Sequence, residues 1–242
     1  MSVATDAGVG TAPPARDAEP EPEVYSDRWE MIWSSGLGRG QRWDASTASP
    51  ALVDLLRKEQ IGVLGKRVLV PGCGRGYDLP VFLSSGATEV VGLELSETAA
   101  READGYLQEV RGTMAGADGG QLAGSMRITV GDFFTWTGSD GDGYDVGYDY
   151  TFGCAMHPTM RQDWATHWAR HLRPGGCLVA LVFPIRPTAD PNVGPPFPVS
   201  PQLYTELLVP KGFECIYSEP VPAELSHPSR AGQEVMTIWR KQ

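Results

Sequence analysis

Arg67-Val68-Leu69-Val70-Pro71-Gly72-Cys73-Gly74-Arg75-Gly76-Tyr77-Asp78 reads as a buried strand that breaks into a glycine turn and then feeds a helix. Val68, Leu69 and Val70 leave no polar position, as expected of a central parallel strand covered on both faces. Pro71 has no N–H to donate and is read as the end of the ladder. Gly72, Gly74 and Gly76 let the backbone turn tightly and approach a ligand where a Cβ would collide. An ordinary strand-to-helix connection can look the same, so the next strand has to discriminate.

That strand, Glu89-Val90-Val91-Gly92-Leu93-Glu94, ends in an acid about 20 residues beyond the glycines, where a dinucleotide-type βαβ unit hydrogen-bonds the ribose hydroxyls. A carboxylate accepts two such bonds from a cis-diol, and both are charge-assisted. A nicotinamide site wants Gly-x-Gly-x-x-Gly, but Tyr77 stands where the last glycine would be. Gly-x-Gly-x-Gly suits a ligand with a ribose and no pyrophosphate, of which S-adenosylmethionine (SAM) is the common one. The competing reading of Glu94 is a solvated acid at a strand end.

The 242 residues suggest one α/β domain, and 41% hydrophobic with 21% charged residues is ordinary for a globular core. A net charge of −10 without basic clusters argues against nucleic acid and against an anionic membrane surface as partners. No apolar run is long enough to span a bilayer, and no secretory signal opens the chain, so the expected location is cytoplasmic. Cys73, Cys154, Cys177 and Cys215 lie far apart and read as small buried residues of a reduced compartment. His167 and His171 have metal-ligand spacing on a helix, but no third ligand accompanies them, so they read as an exposed face and no metal is expected.

Residues 1–22 are rich in Ala, Pro, Gly and acids and read as a disordered tail. Trp29, Trp33 and Trp43 then follow within a short stretch. Trp29 and Trp33 share a helix face at their spacing. Together the three suggest a lid over residues 23–60, with residues 34–40 as its glycine-rich hinge; a cationic sulfonium is attracted to such rings as an ammonium is. The competing reading is a hydrophobic helix packed on the core. Short helices are expected at 51–58 and 78–84, and a longer one at 97–111 capped by Ser96. A glycine-rich surface excursion follows at 112–124.

The third strand, 126–130, ends in Gly131-Asp132-Phe133-Phe134. An Asp followed by an aromatic at a strand tip can hold an adenine: the carboxylate accepts from the exocyclic amine and the ring packs on the base. The fourth strand, 144–150, ends beside the switch point of the sheet. Met160, Trp164, Trp168 and Leu172 form a four-residue stripe, which reads as core. A strand at 177–183, a proline-rich loop at 184–200, a helix at 201–208 and an antiparallel pair at 213–219 and 234–240 complete the chain.

These motifs resemble the class I SAM-dependent methyltransferases of the thiopurine methyltransferase type, and within it the thiol and halide methyltransferases. The resemblance runs from Trp29 to the end. It is carried by the glycine turn with its preceding proline, Gly92-Leu93-Glu94-Leu95-Ser96, Gly131-Asp132-Phe133-Phe134, Asp149-Tyr150-Thr151-Phe152, Arg173-Pro174-Gly175-Gly176 and Gly194-Pro195-Pro196-Phe197. It implies a Rossmann-like seven-stranded sheet, mostly parallel, with an antiparallel last strand and helices on both faces. It implies SAM as cofactor, a methyltransferase domain over 23–242 and a monomer. Position by position, it implies Trp29, Trp33 and Trp43 in the lid, Gly72 under the methionine moiety and Gly74 among the cofactor-binding residues. Glu94 would lie on the ribose, Asp132 and Phe133 on the adenine, and Tyr150 would close the pocket. The loop before Trp43 is longer here than in the family.

The expected acceptor pocket is lined by the lid, Phe152, Phe183 and Phe197, which suits a small, soft nucleophile. A thiol has a reference pKa of about 8.5, so some thiolate exists at neutral pH and no strong base is required. Asp149 is a candidate base, with a structural strand-end acid as the reading set against it. The alternatives are a small-molecule O- or N-methyltransferase, a non-catalytic SAM-binding protein, and a nicotinamide oxidoreductase disfavoured by Tyr77.

Overall fold

A computed structural model of the chain describes residues 22–114, 123–138 and 143–242. The expected tail at 1–22, all but Pro22, and most of the excursion at 112–124 lie outside the described residues. Helix α1 (Pro22–Ser34) and helix α2 (Pro50–Arg57) precede strand β1 (Arg67–Pro71). Then come α3 (Leu79–Ser84), β2 (Glu89–Glu94), α4 (Glu97–Met114), β3 (Ser125–Val130), β4 (Tyr144–Tyr150) and α5 (Arg161–His171). Strand β5 (Leu172–Val182), α6 (Pro201–Leu208), β6 (Phe213–Pro220) and β7 (Val235–Lys241) end the chain.

The strands form one seven-stranded sheet in the order β3-β2-β1-β4-β5-β7-β6. The neighbours from β3 through β5 are parallel, with Val68 opposite Val90 on one side and Val146 on the other. Strand β7 runs antiparallel to both β5 and β6. This is the expected class I methyltransferase sheet.

Strand β1 is apolar from Val68 onward because both faces are covered there. Val68 and Val70 pack in a cluster with Leu52 and Leu55 of α2, Phe82 of α3 and Leu107 of α4. Leu69 points to the other cluster, with Trp164 and Trp168 of α5, Leu208 of α6 and Trp239 of β7. The two tryptophans of α5 are core, as their spacing predicts. Gly147 of β4 is required by one of them: a Cβ there would lie 2.3 Å from Trp168 Cζ3.

Chain order reverses between β1 and β4. The chain builds outward through β2 and β3 on one side, then returns to lay β4 and β5 on the other. A crevice therefore opens at the carboxyl ends of β1 and β4, where open α/β sheets place their ligands.

Three local expectations change. Strand β5 begins at Leu172, directly after α5, because buried Leu172 pairs with Tyr144 across a register shift. His171 is buried and donates Nε2–H to the Phe133 carbonyl at 3.0 Å, so it does not belong to an exposed face. Cys215 is exposed on the outer strand, whereas Cys154 is buried; all four cysteines are free thiols.

Candidate active site

Two adjoining cavities lie over the strand tips. The first, of about 160 Å³, is bounded by α1, the loop after it, the glycine turn, Glu94, the end of β4 and Arg230. The second, of about 520 Å³, lies over the ends of β2 and β3 and is closed by the start of α5. Tyr25, Gly72, Leu95 and Phe152 border both.

The turn that follows β1 is left-handed at Gly72 (φ +56°) and Gly74 (φ +53°), where a side chain is strained by its own backbone. A Cβ on Gly72 would lie 2.4 Å from Phe152 Cδ2, and one on Gly74 would touch Trp33. The turn thus exposes backbone to the crevice and lets aromatic rings close over it.

Glu94, at the tip of β2, is tied to this turn. One carboxylate oxygen accepts the Gly74 N–H at 2.9 Å, and the other accepts Leu95 N–H at 2.9 Å and Ser96 N–H at 3.2 Å. Burial still pushes its pKa up, against the lowering effect of those amides. Each carboxylate oxygen has more than one lone pair, so capacity remains for ribose hydroxyls. A bare glycine turn beside a fixed, buried carboxylate fits the methionine and ribose portions of SAM.

At the tip of β3, one Asp132 oxygen accepts the Phe134 N–H at 3.0 Å, which turns the chain there. Asp132 lines the second cavity, together with Phe133 and Phe134. Phe133 is only 3% exposed, and its ring packs against Phe152 at 5.1 Å and Trp168 at 5.1 Å. Phe133 therefore forms part of the floor, and Phe134, which sequence reasoning did not single out, contributes the more exposed ring.

The lid tryptophans converge on the first cavity. Trp29 and Trp33 both line it, and Trp43 meets Trp29 edge-on at 5.5 Å despite the longer loop between them. Tyr25 extends the stripe by one turn, and its hydroxyl donates to the Ala155 carbonyl at 2.7 Å, tying α1 to the segment after β4. Burial raises the Tyr25 pKa to about 12. The four-residue spacing Tyr25, Trp29, Trp33 was a usable signal for it. Glu30 anchors the same helix to the start of α4, accepting from Ser96 Oγ at 2.6 Å and Thr98 N–H at 3.1 Å. Those hydrogen bonds lower its pKa to about 2.

Tyr150 borders the first cavity, and its hydroxyl donates to Glu234 at 2.7 Å. Arg230 lies over the Tyr150 ring at 4.8 Å and the Phe183 ring at 5.2 Å, and donates to the Trp43 carbonyl at 3.1 Å. Nothing in the sequence pointed to Arg230, which comes from the loop between β6 and β7. Asp78 also lines this cavity; it accepts the Ser49 N–H at 2.8 Å, and burial raises its pKa to about 6.

Three expected site residues lie elsewhere. Asp149 borders neither cavity: its carboxylate is enclosed by Trp164 Nε1–H at 2.8 Å, Trp168 Nε1–H at 3.4 Å and Gly153 N–H at 2.9 Å. It is the acid that lets two indoles be buried with their N–H groups satisfied. Phe183 is absent from both linings, beside Arg230. Phe197 is also buried away from both, edge-on to His157 at 5.6 Å. Phe152 alone of the expected acceptor phenylalanines reaches the crevice.

Comparison with known proteins places the chain in a family. The family profile for thiopurine S-methyltransferase (TPMT) matches residues 24–241. The chain belongs to this family. It is a SAM-dependent S-methyltransferase. Among curated members, a probable thiol methyltransferase 2 of Arabidopsis thaliana is 35% identical over 90% of this chain and 87% of its own length. Thiocyanate methyltransferase 1 of Brassica oleracea is 34% identical over 97% of this chain and 94% of its own. A thiopurine S-methyltransferase of Pseudomonas paraeruginosa is 35% identical over 73% of this chain and 78% of its own. Among solved structures, the Burkholderia thailandensis 1,6-didemethyltoxoflavin-N1-methyltransferase, with bound S-adenosylhomocysteine (SAH), shares the fold. Its TM-score is 0.69 at 20% identity, covering 95% of this chain and 94% of that one. No described helix is long and apolar enough to cross a membrane, and no described cluster of acids, histidines and cysteines could hold a metal.

Proposed function

We propose that this TPMT-family member methylates a small, soft nucleophile, foremost a thiol or hydrosulfide and next a halide or pseudohalide. The observation that carries this is the wall of the first cavity. Tyr25, Trp29, Trp43 and Phe152 make it aromatic and Arg230 brings a guanidinium to it, while of its acids Asp44 is paired with Arg75, Glu94 is held by three backbone amides and Asp78 by one. Such a wall strips water from a polarizable anion and offers it a guanidinium. The Arabidopsis and Brassica relatives, a probable thiol methyltransferase and a thiocyanate methyltransferase, support the same class.

Bound SAM supplies a methyl group already activated by a cationic sulfur and open to in-line displacement. The chain's own task is to position and desolvate, which can lower a barrier by roughly 7–11 kcal/mol. Gly72 and Gly74 leave room for the methionine end, Glu94 accepts from the ribose, and Asp132 with Phe133 and Phe134 holds the adenine. Trp29, Trp33, Trp43 and Tyr150 close the site, and Arg230 holds the acceptor's negative charge. No residue has to take a proton when the acceptor arrives as an anion, which agrees with the enclosure of Asp149. Residues 23–242 act as one methyltransferase unit with 23–60 as its lid. A cytoplasmic monomer is the working form proposed, the location being in keeping with four free thiols.

One observation favours a second reading. Asp78, with a pKa raised to about 6, borders the acceptor cavity and could take a proton from an O–H or N–H acceptor. Labelled SAM offered with hydrosulfide, an aryl thiol, iodide, thiocyanate, a phenol and an amine separates the two. Turnover of sulfur acceptors at the highest kcat/KM is expected; faster turnover of the phenol or amine overturns the first reading.

A further inference from the structure

The turn Gly72-Cys73-Gly74-Arg75-Gly76 has a long cation in its middle, and the cation is hidden. The Arg75 side chain is 4% exposed and its partner Asp44 is 1% exposed. Arg75 Nε–H donates to Asp44 at 2.8 Å, one Nη donates to the Leu37 carbonyl at 2.9 Å, and the other pairs with Glu102. Its guanidinium lies 5.4 Å from the centre of the Trp33 ring. Asp44 gathers the lid loop in turn: it accepts from Gly40 N–H at 3.1 Å, Ser46 N–H at 2.8 Å and the Tyr77 hydroxyl at 3.1 Å.

A buried ion pair is poor evidence of stabilisation, because desolvation offsets most of the attraction. Its attested use is to select one arrangement over others. Here the two ends belong to different parts of the site. Arg75 is flanked by Gly74, which holds Glu94, and Asp44 follows Trp43, whose ring meets Trp29.

We propose that Arg75 is a positioning residue that latches the aromatic lid onto the cofactor turn, so that the lid is seated before ligand arrives. This rests on the proposed placement of SAM over that turn. A lid seated in advance costs a ligand less ordering, so losing the latch weakens binding and leaves the chemistry intact.

The test uses full-length Arg75→Met, Arg75→Lys, Asp44→Asn and the double variant Arg75→Met/Asp44→Asn. In the ligand-free protein, trypsin cleavage after Arg39 and Arg42 is timed by mass spectrometry; both residues are exposed in the lid loop. Cleavage is expected to speed up about tenfold in Arg75→Met and Asp44→Asn, with calorimetric SAH affinity and KM for SAM worsening by a similar factor. Saturated kcat should stay within twofold, Arg75→Lys should recover part of the loss, and the double variant should be no worse than the poorer single one.

Unchanged lid cleavage and SAH affinity in folded variants, whatever their melting temperature, would make the pair structural only and overturn the proposal. If Arg75→Met does not fold, Asp44→Asn decides alone, since an amide of the same size keeps the loop's backbone bonds and loses the charge. Wild-type protein that does not bind SAH would overturn the placement of SAM, while the cleavage assay would still decide the latch.

Discussion

At the tips of β1 and β2 the groups that line the first cavity are backbone, or are held by backbone. Gly72 and Gly74 present bare main chain, and Glu94 is fixed by three backbone amides, two from its own turn and one from Gly74. Across the cavity the wall is assembled from side chains of distant segments. Tyr25 and Trp29 come from α1, Trp43 from the loop after it, Tyr150 from the end of β4 and Arg230 from the loop before β7. The first kind of site is specified locally and tolerates little change. The second kind can be re-cut residue by residue without disturbing the turns.

The sharpest break of this contrast is Gly72→Ala. The new methyl group meets both a left-handed backbone and the Phe152 ring at 2.4 Å. Turnover of hydrosulfide should fall on the order of 100-fold or more, with SAH binding lost and the far-UV circular dichroism preserved. Arg230→Met tests the opposite wall. It should lower kcat/KM for a thiol acceptor about tenfold while SAH affinity stays within threefold, because it removes one charge-assisted contact to the acceptor. Equal losses in both quantities would erase the distinction between the two walls.

Asp78 sharpens the comparison through pH. Burial raises its pKa from 3.8 to about 6, so the folded chain holds this proton more tightly than the unfolded one. The stability it contributes is complete below pH 3.8 and is lost as pH rises through about 6. Asp78→Asn, measured without ligand, should raise the melting temperature at pH 7 by several degrees and barely change it near pH 4. A smaller gain at pH 7 than at pH 4 would contradict the sign.

The sheet was legible because its strands obey short-range rules. Val68 to Val70 and Val90 to Val91 are apolar at every position, and Gly72 to Gly76 and Ser96 punctuate them in the order a βαβ unit needs. The tryptophans of α5 were legible as core from their spacing. Phe183 and Phe197 were misplaced because an aromatic in a proline-rich loop carries no periodicity to say which way it faces. Asp149 was ambiguous for a related reason. An acid at a strand tip is a base or a structural anchor depending on what surrounds it, and here two indole N–H groups decide.

By itself the sequence determined the class of sheet, the acid at the end of β2 and the aromatic stripe of α1, since each is written within one element or one turn. Only the tertiary structure decided that Arg230 meets Tyr150, that Arg75 reaches Asp44, and that Phe134 and Tyr25 line the cavities over the strand tips. Those pairings join segments far apart in the chain. Their geometry follows from how helices and loops pack on the sheet, and no local pattern encodes it.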